Sequence, residues 1–157
     1  WEGGTRTPFI TRWPGRIKPA VSDEIVCTID LAASFAALTG QPLADTACLD
    51  SLNVLDALLG KPGAKGRDHL LQQDNGSGNF GLRAGDWKLV RLEKRGKPEA
   101  RVSKDERPLP AARHTLYNLR EDPGERTDVA AAHPDAVQRL TAQLDQLINE
   151  GRSRSQP

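Results

Sequence analysis

The chain has 157 residues, with 22 Lys and Arg against 21 Asp and Glu, and 37% of its residues are hydrophobic. Such a length suits one domain or slightly more, and lets roughly 70% of the unfolded surface be buried. A charge balance this near zero speaks against nucleic acid and polybasic membrane partners, and no apolar run approaches the roughly 20 residues that cross a bilayer.

Pro8 to Gly15 reads as a short strand bracketed by prolines, with Phe9, Thr11 and Trp13 on one face and Ile10 on the other. Thr28 stands where it would cap a helix in which Leu31, Phe35 and Leu38 share one face. Gly40 suits the left-handed position after that helix and Pro42 bars its continuation. Ser51 opens a shorter helix lined by Val54, Leu55, Leu58 and Leu59, stopped by Gly60 and Pro62. The composition shift at Pro62 to Lys65 is the candidate subdomain boundary.

From residue 69 the hydrophobic period changes. His69 to Asp74 is strand-like, and Asn75 to Asn79 is a loop of residues that tolerate positive φ. Phe80 to Arg83 turns through Ala84-Gly85-Asp86 into Trp87 to Leu92, an antiparallel hairpin. Residues 93–113 carry seven basic and four acidic side chains with three prolines, and read as a solvated insertion. Strand signal resumes over Thr115 to Leu119, and Glu121-Asp122-Pro123-Gly124-Glu125 turns the chain. The last element is a helix opened by Pro134 and Asp135, with Val137, Leu140, Leu144, Leu147 and Ile148 as its apolar stripe and Gly151 at its end. Ser153 to Pro157 reads as a frayed polar tail.

No chemistry motif within the chain assembles an active site. No Gly-x-Ser-x-Gly elbow surrounds any serine, and Cys27, on the edge of an apolar helix, reads as a small core residue rather than a nucleophile. Cys27 and Cys48 form no Cys-x-x-Cys pair, and His69, His114 and His133 are scattered, which excludes a recognisable zinc site. Whether the two cysteines join in a disulfide stays open, because sequence alone does not bring them together. Glu2-Gly3-Gly4-Thr5-Arg6 lacks the Gly-Lys-Ser/Thr ending of a phosphate loop and reads as a turn with Arg6 paired to a carboxylate. Asp74-Asn75-Gly76 offers oxygen ligands but too few for calcium, so a turn is the better reading. Lys94-Arg95-Gly96-Lys97 has neighbouring acids and no aromatic platform, and reads as solvated.

Five segments in order resemble one family: Trp1-Glu-Gly-Gly-Thr-Arg-Thr-Pro-Phe-Ile-Thr-Arg-Trp-Pro-Gly-Arg-Ile, then Ser22-Asp-Glu-Ile-Val-Cys-Thr-Ile-Asp-Leu, Leu82-Arg-Ala-Gly-Asp-Trp-Lys-Leu, Leu116-Tyr-Asn-Leu-Arg-Glu-Asp-Pro-Gly-Glu, and the closing helix after His133-Pro. Together they look like the later part of a formylglycine-dependent sulfatase of the alkaline-phosphatase superfamily. The resemblance implies an α/β protein whose smaller α+β subdomain packs a four-stranded antiparallel sheet against a long C-terminal helix. It implies that residues 1–65 close the catalytic domain with its last strand and two helices. Residues 66–152 would then form the C-terminal subdomain, including a helix over 134–150, and residues 153–157 a polar tail. The absence of methionine, and a chain that opens inside a motif, lead to the same expectation of a piece of a longer protein.

Neither cysteine lies in the Cys/Ser-x-Pro-x-Arg motif that would become formylglycine. The resemblance places the family's metal-binding aspartates and Asp-Asn pair, its histidines and its sulfate-contacting lysine before Trp1, so it implies no catalytic and no metal residue here. Calcium and formylglycine are expected in the parent enzyme and no cofactor in this piece, which alone should be inactive. The implied partners are the N-terminal sulfatase domain and, in the parent, a sulfated glycan or small molecule, with no nucleic acid and no membrane. Placement would be periplasmic or secreted. Gln72, Gln73, Asn75 and Asn79 are the candidate substrate contacts, because amides in a loop near the cleft mouth suit hydroxyl-rich ligands. Trp87 and Tyr117 are weighed as sugar platforms, with core packing the preferred reading. The alternatives are a non-catalytic glycan- or protein-interaction module derived from a sulfatase tail, and part of a related phospho- or phosphonohydrolase.

Overall fold

Asp30 is the only carboxylate in the apolar run from Ile25 to Leu38, and the first seventy residues fold around it. In the computed structural model, which describes residues 2–74, 78–92 and 113–154, its side chain is fully buried. A buried carboxylate must be paired and hydrogen-bonded, and each oxygen of Asp30 is. Oδ2 accepts the Cys27 N–H at 3.1 Å, closing a single 3-10 turn over Thr28–Asp30. Oδ1 accepts the Leu52 N–H at 2.9 Å and the Arg67 guanidinium at 2.5 Å. Arg67, with no exposed side chain, also donates from Nη1 to the Asp50 carbonyl and from Nε to the His69 carbonyl. Its own backbone N–H bonds the Ile25 carbonyl at 2.7 Å. That approach needs the glycine before it, since a Cβ on Gly66 would stand 2.2 Å from the Ile25 oxygen.

Helix α1 (Leu31–Thr39) leaves this centre, and helix α2 (Leu55–Leu58) packs beside it. Their starts are capped by each other. Ser51 Oγ accepts the Ala33 N–H at 2.9 Å, and Ser34 Oγ accepts the Val54 N–H at 3.1 Å. Both serines are buried, so the hydroxyls satisfy amides that water cannot reach. Thr28 therefore lies inside the 3-10 turn rather than capping α1. Ser51 does not cap α2, whose first amide, Leu55, bonds the Asn53 side chain instead. Gly40 ends α1 in the left-handed conformation, as its position implies.

The docking face of α1 is made of its small residues, Ala33 and Ser34. Of the expected stripe of Leu31, Phe35 and Leu38, Leu31 is half-buried, while Phe35 is 53% and Leu38 38% exposed. The strand expected at residues 8–13 forms no ladder, since no partner strand lies beside it among the described residues, and Phe9 and Ile10 are exposed. Of the tail expected to fray, Ser153 and Arg154 are held in place, and residues 155–157 lie outside the described residues. Ser153 bonds Asp50 through both its N–H and its hydroxyl, and Arg154 bonds the carbonyls of Ala44, Ala47 and Leu49.

The chain divides into two compact units, Trp1–Leu70 with Ala142–Pro157, and Leu71–Thr141. The second is built on an antiparallel sheet in the order β1 (His69–Gln73), β2 (Phe80–Ala84), β3 (Trp87–Leu92), β4 (Arg113–Asn118). Gly85, at φ +59°, supplies the tight connection between β2 and β3. The register sets Leu82 opposite Leu89 and Leu89 opposite Leu116, and all three are fully buried. After β4 the chain turns on Asp122, whose carboxylate accepts the Arg126 and Thr127 amides, and Val129 bonds back to the Leu116 carbonyl. Helix α3 (Pro134–Glu150) closes the order, with Leu140, Leu144 and Leu147 buried along one stripe. The result is the expected α+β arrangement of helices and a four-stranded antiparallel sheet.

Two outcomes follow from the buried centre. Arg67→Met strands the Asp30 charge and should cost about 3–5 kcal/mol in urea unfolding; a loss under about 1 kcal/mol would contradict its burial in solution. Glu24 is held below the ordinary glutamate range, first by the Gly66 N–H and then by Lys65. A lowered folded pKa stabilises above the unfolded value and is lost as pH falls through the folded one. The urea midpoint gap between wild type and Glu24→Gln should therefore be constant near neutrality and shrink below about pH 4; a gap that widens on acidification would contradict it.

Candidate functional site

The loop between β1 and β2 carries the residues nominated from sequence. Its base is closed by Asp74 and Asn79: the Asp74 N–H bonds the Asn79 carbonyl at 3.1 Å, and the carboxylate accepts the Asn79 N–H at 3.1 Å and its Nδ2 at 2.7 Å. Asp74 thus serves the turn, as its sequence context implies, and Asn79 is a structural partner in that closure. Asn75, with Gly76 and Ser77, lies outside the described residues.

Gln72 and Gln73 are adjacent in a strand, so they point to opposite faces. Gln73 is exposed. Gln72 is half-buried over Gly81, where its Oε1 lies 3.4 Å from the point a Cβ would occupy. Cε of Lys88 lies 3.5 Å from the same point. Lys88 sits in the middle of β3, opposite Arg83 and Tyr117, and is 2% exposed. Its ammonium is 2.9 Å from Glu125 Oε1, and neither side chain is more than 3% exposed. Glu125 reaches it from the turn after β4, with φ at +52°. The structure therefore brings together Gln72, Gly81, Lys88 and Glu125, and separates Gln73 from Gln72.

Two ion pairs were missed in sequence, Asp30–Arg67 and Lys88–Glu125. Each joins residues far apart in the chain, and the only local signal is a charge placed inside an apolar segment. Tyr117 is buried, and Trp87 stands half-buried against His133, with ring centroids 4.9 Å apart, so both serve packing rather than an open platform. Cys27 and Cys48 are free thiols. The 3-10 turn Glu2–Gly4, with the Thr5 and Arg6 amides on the Glu2 carbonyl, matches the turn reading of that segment, but the exposed Arg6 side chain pairs with no carboxylate among the described residues. The basic cluster 94–97 lies outside the described residues. Among the described residues, no three His, Cys, Asp or Glu side chains come together as a metal site, and no helix is long and apolar enough to cross a membrane.

No protein-family profile matches the chain. It is 36% identical over 148 residues to an N-acetylgalactosamine-6-O-sulfatase of Bacteroides thetaiotaomicron, covering 94% of this chain and 28% of that protein. It is 33% identical to human arylsulfatase A, covering 98% of this chain and 34% of the relative. A solved structure from work on glycosaminoglycan metabolism in B. thetaiotaomicron, a 6S-sulfatase by its label, matches with a TM-score of 0.74 at 33% identity. That match covers 93% of this chain and 30% of the solved one. The chain thus spans about a third or less of the length of the curated relatives it matches.

The Asp74 closure makes a local forecast. Asp74→Ala should speed hydrogen exchange of the Asn79 amide about tenfold or more while leaving the global unfolding midpoint nearly unchanged; an unaltered Asn79 exchange rate would show that the Asp74 carboxylate does not protect that amide.

Proposed function

We propose, taking as premise that this chain is a sulfatase segment along nearly its whole length, that it is the C-terminal portion of an enzyme hydrolysing sulfate esters. It supplies scaffold and part of the cleft wall, and the nucleophile, the calcium ligands and the formylglycine belong to polypeptide outside this chain. The supporting observation is the match of 94% of the chain to only 28% of a sulfatase. The substrate class that best fits is a sulfated glycan, because two of the relatives reported above are named for sulfated sugars or glycosaminoglycans. We retain residues 1–65 as the end of the catalytic domain and residues 66–152 as the C-terminal subdomain, and a periplasmic or secreted placement in keeping with the family.

A second feature supports an N-terminal partner domain. Phe9, Ile10, Val21, Ile29, Phe35, Leu38 and Leu49 are all exposed, and all belong to the first compact unit. Burying a Phe or Leu side chain is worth about 1.5–3 kcal/mol, so a polypeptide that covers this set gains substantially from doing so. Gln72 and the loop it precedes are our candidates for substrate contact.

The test compares the 157-residue chain with the longer polypeptide. The chain alone should show no turnover of 4-nitrophenyl sulfate above buffer, whereas the chain joined to an upstream sulfatase domain should hydrolyse it. Turnover by the rigorously purified chain would contradict the proposal. Specific, salt-sensitive retention of sulfated glycans by the chain alone would favour a binding module instead.

A further inference from the structure

The stretch after α3 turns back onto the loop before Ser51. Ser153 binds the Asp50 carboxylate, and the Arg154 backbone N–H bonds the Leu49 carbonyl at 2.9 Å. The Arg154 guanidinium is held as well, with Nη2 donating to the carbonyls of Ala44 and Ala47 at 2.8 and 3.0 Å. Its Nε and Nη1 make no hydrogen bond to the described residues, and it pairs with no carboxylate among them. A guanidinium anchored at one nitrogen by neutral carbonyls keeps its full charge and offers its remaining donors from an already ordered position.

Arg154 lines a groove of about 280 Å³ within the first unit. The apolar lining is Ala33, Ala36 and Ala37 of α1 with Leu43 and Leu52. Among the described residues Arg154 is the one charged side chain that lines it, and none that does is acidic. In small-ligand sites apolar surface supplies most of the affinity and a few polar groups fix the orientation. This groove has that composition.

We infer that the groove binds a small amphipathic monoanion, a short apolar chain ending in a carboxylate, with the carboxylate on Arg154 and the chain over the α1 alanines. One cation with no acid in the lining matches a single negative charge, and a cationic ligand would meet Arg154 with nothing to offset it. Small-ligand pockets span roughly 300–1,000 Å³, so a groove at the lower end of that range suits a fragment-sized molecule and not an oligosaccharide. The inference uses no sulfate-ester chemistry and stands or falls separately from the function proposed above.

The experiment is NMR titration of the 157-residue chain, labelled with 13C at its alanine methyl groups, with hexanoate, hexanol and hexylamine. Hexanoate should shift the Ala36 and Ala37 methyls with a dissociation constant of about 1 mM. Hexanol should bind about tenfold more weakly, and hexylamine should leave both methyls unmoved. Arg154→Gln should weaken hexanoate about tenfold and leave hexanol as it was, and Arg154→Lys should recover part of that loss. Ala37→Leu fills the groove from an exposed position on α1 and takes no part in the hydrogen bonds of the tail. It should abolish the Ala36 response to hexanoate, and serves if the Arg154 variants fail to fold. Methyls unmoved by about 20 mM hexanoate overturn the inference, as does an equal response to hexylamine. A response seen in this chain and lost in the longer polypeptide assigns the groove to upstream polypeptide, and overturns it too.

Discussion

The buried pair of Asp30 and Arg67 is the constraint on which the first unit depends. A charge removed from water is tolerated only when its partner and hydrogen bonds arrive together, and here they come from three separate stretches. The Cys27 and Leu52 amides bind the carboxylate, the Asp50 and His69 carbonyls bind the guanidinium, and the Ile25 carbonyl holds the Arg67 backbone. Such a pair adds little net stability over an apolar filling, but it admits only one arrangement of the segments that meet at it.

That arrangement decides which side of α1 faces inward. With Ser51 Oγ accepting the Ala33 N–H and Ser34 Oγ accepting the Val54 N–H, the helices approach through small residues, and the bulky Phe35 and Leu38 are left outside. Phe35 and Leu38 are therefore exposed for a reason internal to the fold, not because the helix is poorly packed. An apolar stripe fixed in place by a polar centre behind it suits a surface completed by further polypeptide. In the second unit the same logic recurs on a smaller scale: Lys88 in the middle of β3 and Glu125 in the turn after β4 are buried as a pair.

Much of the fold was legible because its signals are local. The hairpin around Gly85, the strand over Arg113–Asn118, the C-terminal helix and the glycine end of α1 all follow from period and turn residues within a few positions, whereas the insertion expected over 93–113 lies, but for Arg113, outside the described residues. What was not legible depends on distant partners. Nothing near Asp30 announces Arg67, and nothing near Ser51 shows that its hydroxyl serves Ala33 rather than its own helix. The strand expected before Pro14 has the right alternation but no neighbour to pair with among the described residues. In the candidate site, the separation of Gln72 from Gln73 was readable from the period of a strand, whereas the role of Asn79 in closing the loop on Asp74 was not. The motif residues Lys88 and Glu125 were noticed as part of a resemblance, and only the fold shows that they meet.

The central claim is that the outward stripe of α1 is an interface completed by the rest of a sulfatase. The most direct measurement is the thiol-labelling rate at position 38 in Leu38→Cys, with Cys27 and Cys48 changed to Ser, comparing the 157-residue chain with the longer polypeptide. The account predicts rapid labelling in the chain alone and about tenfold or greater protection in the longer protein. Equal labelling in the two would contradict it.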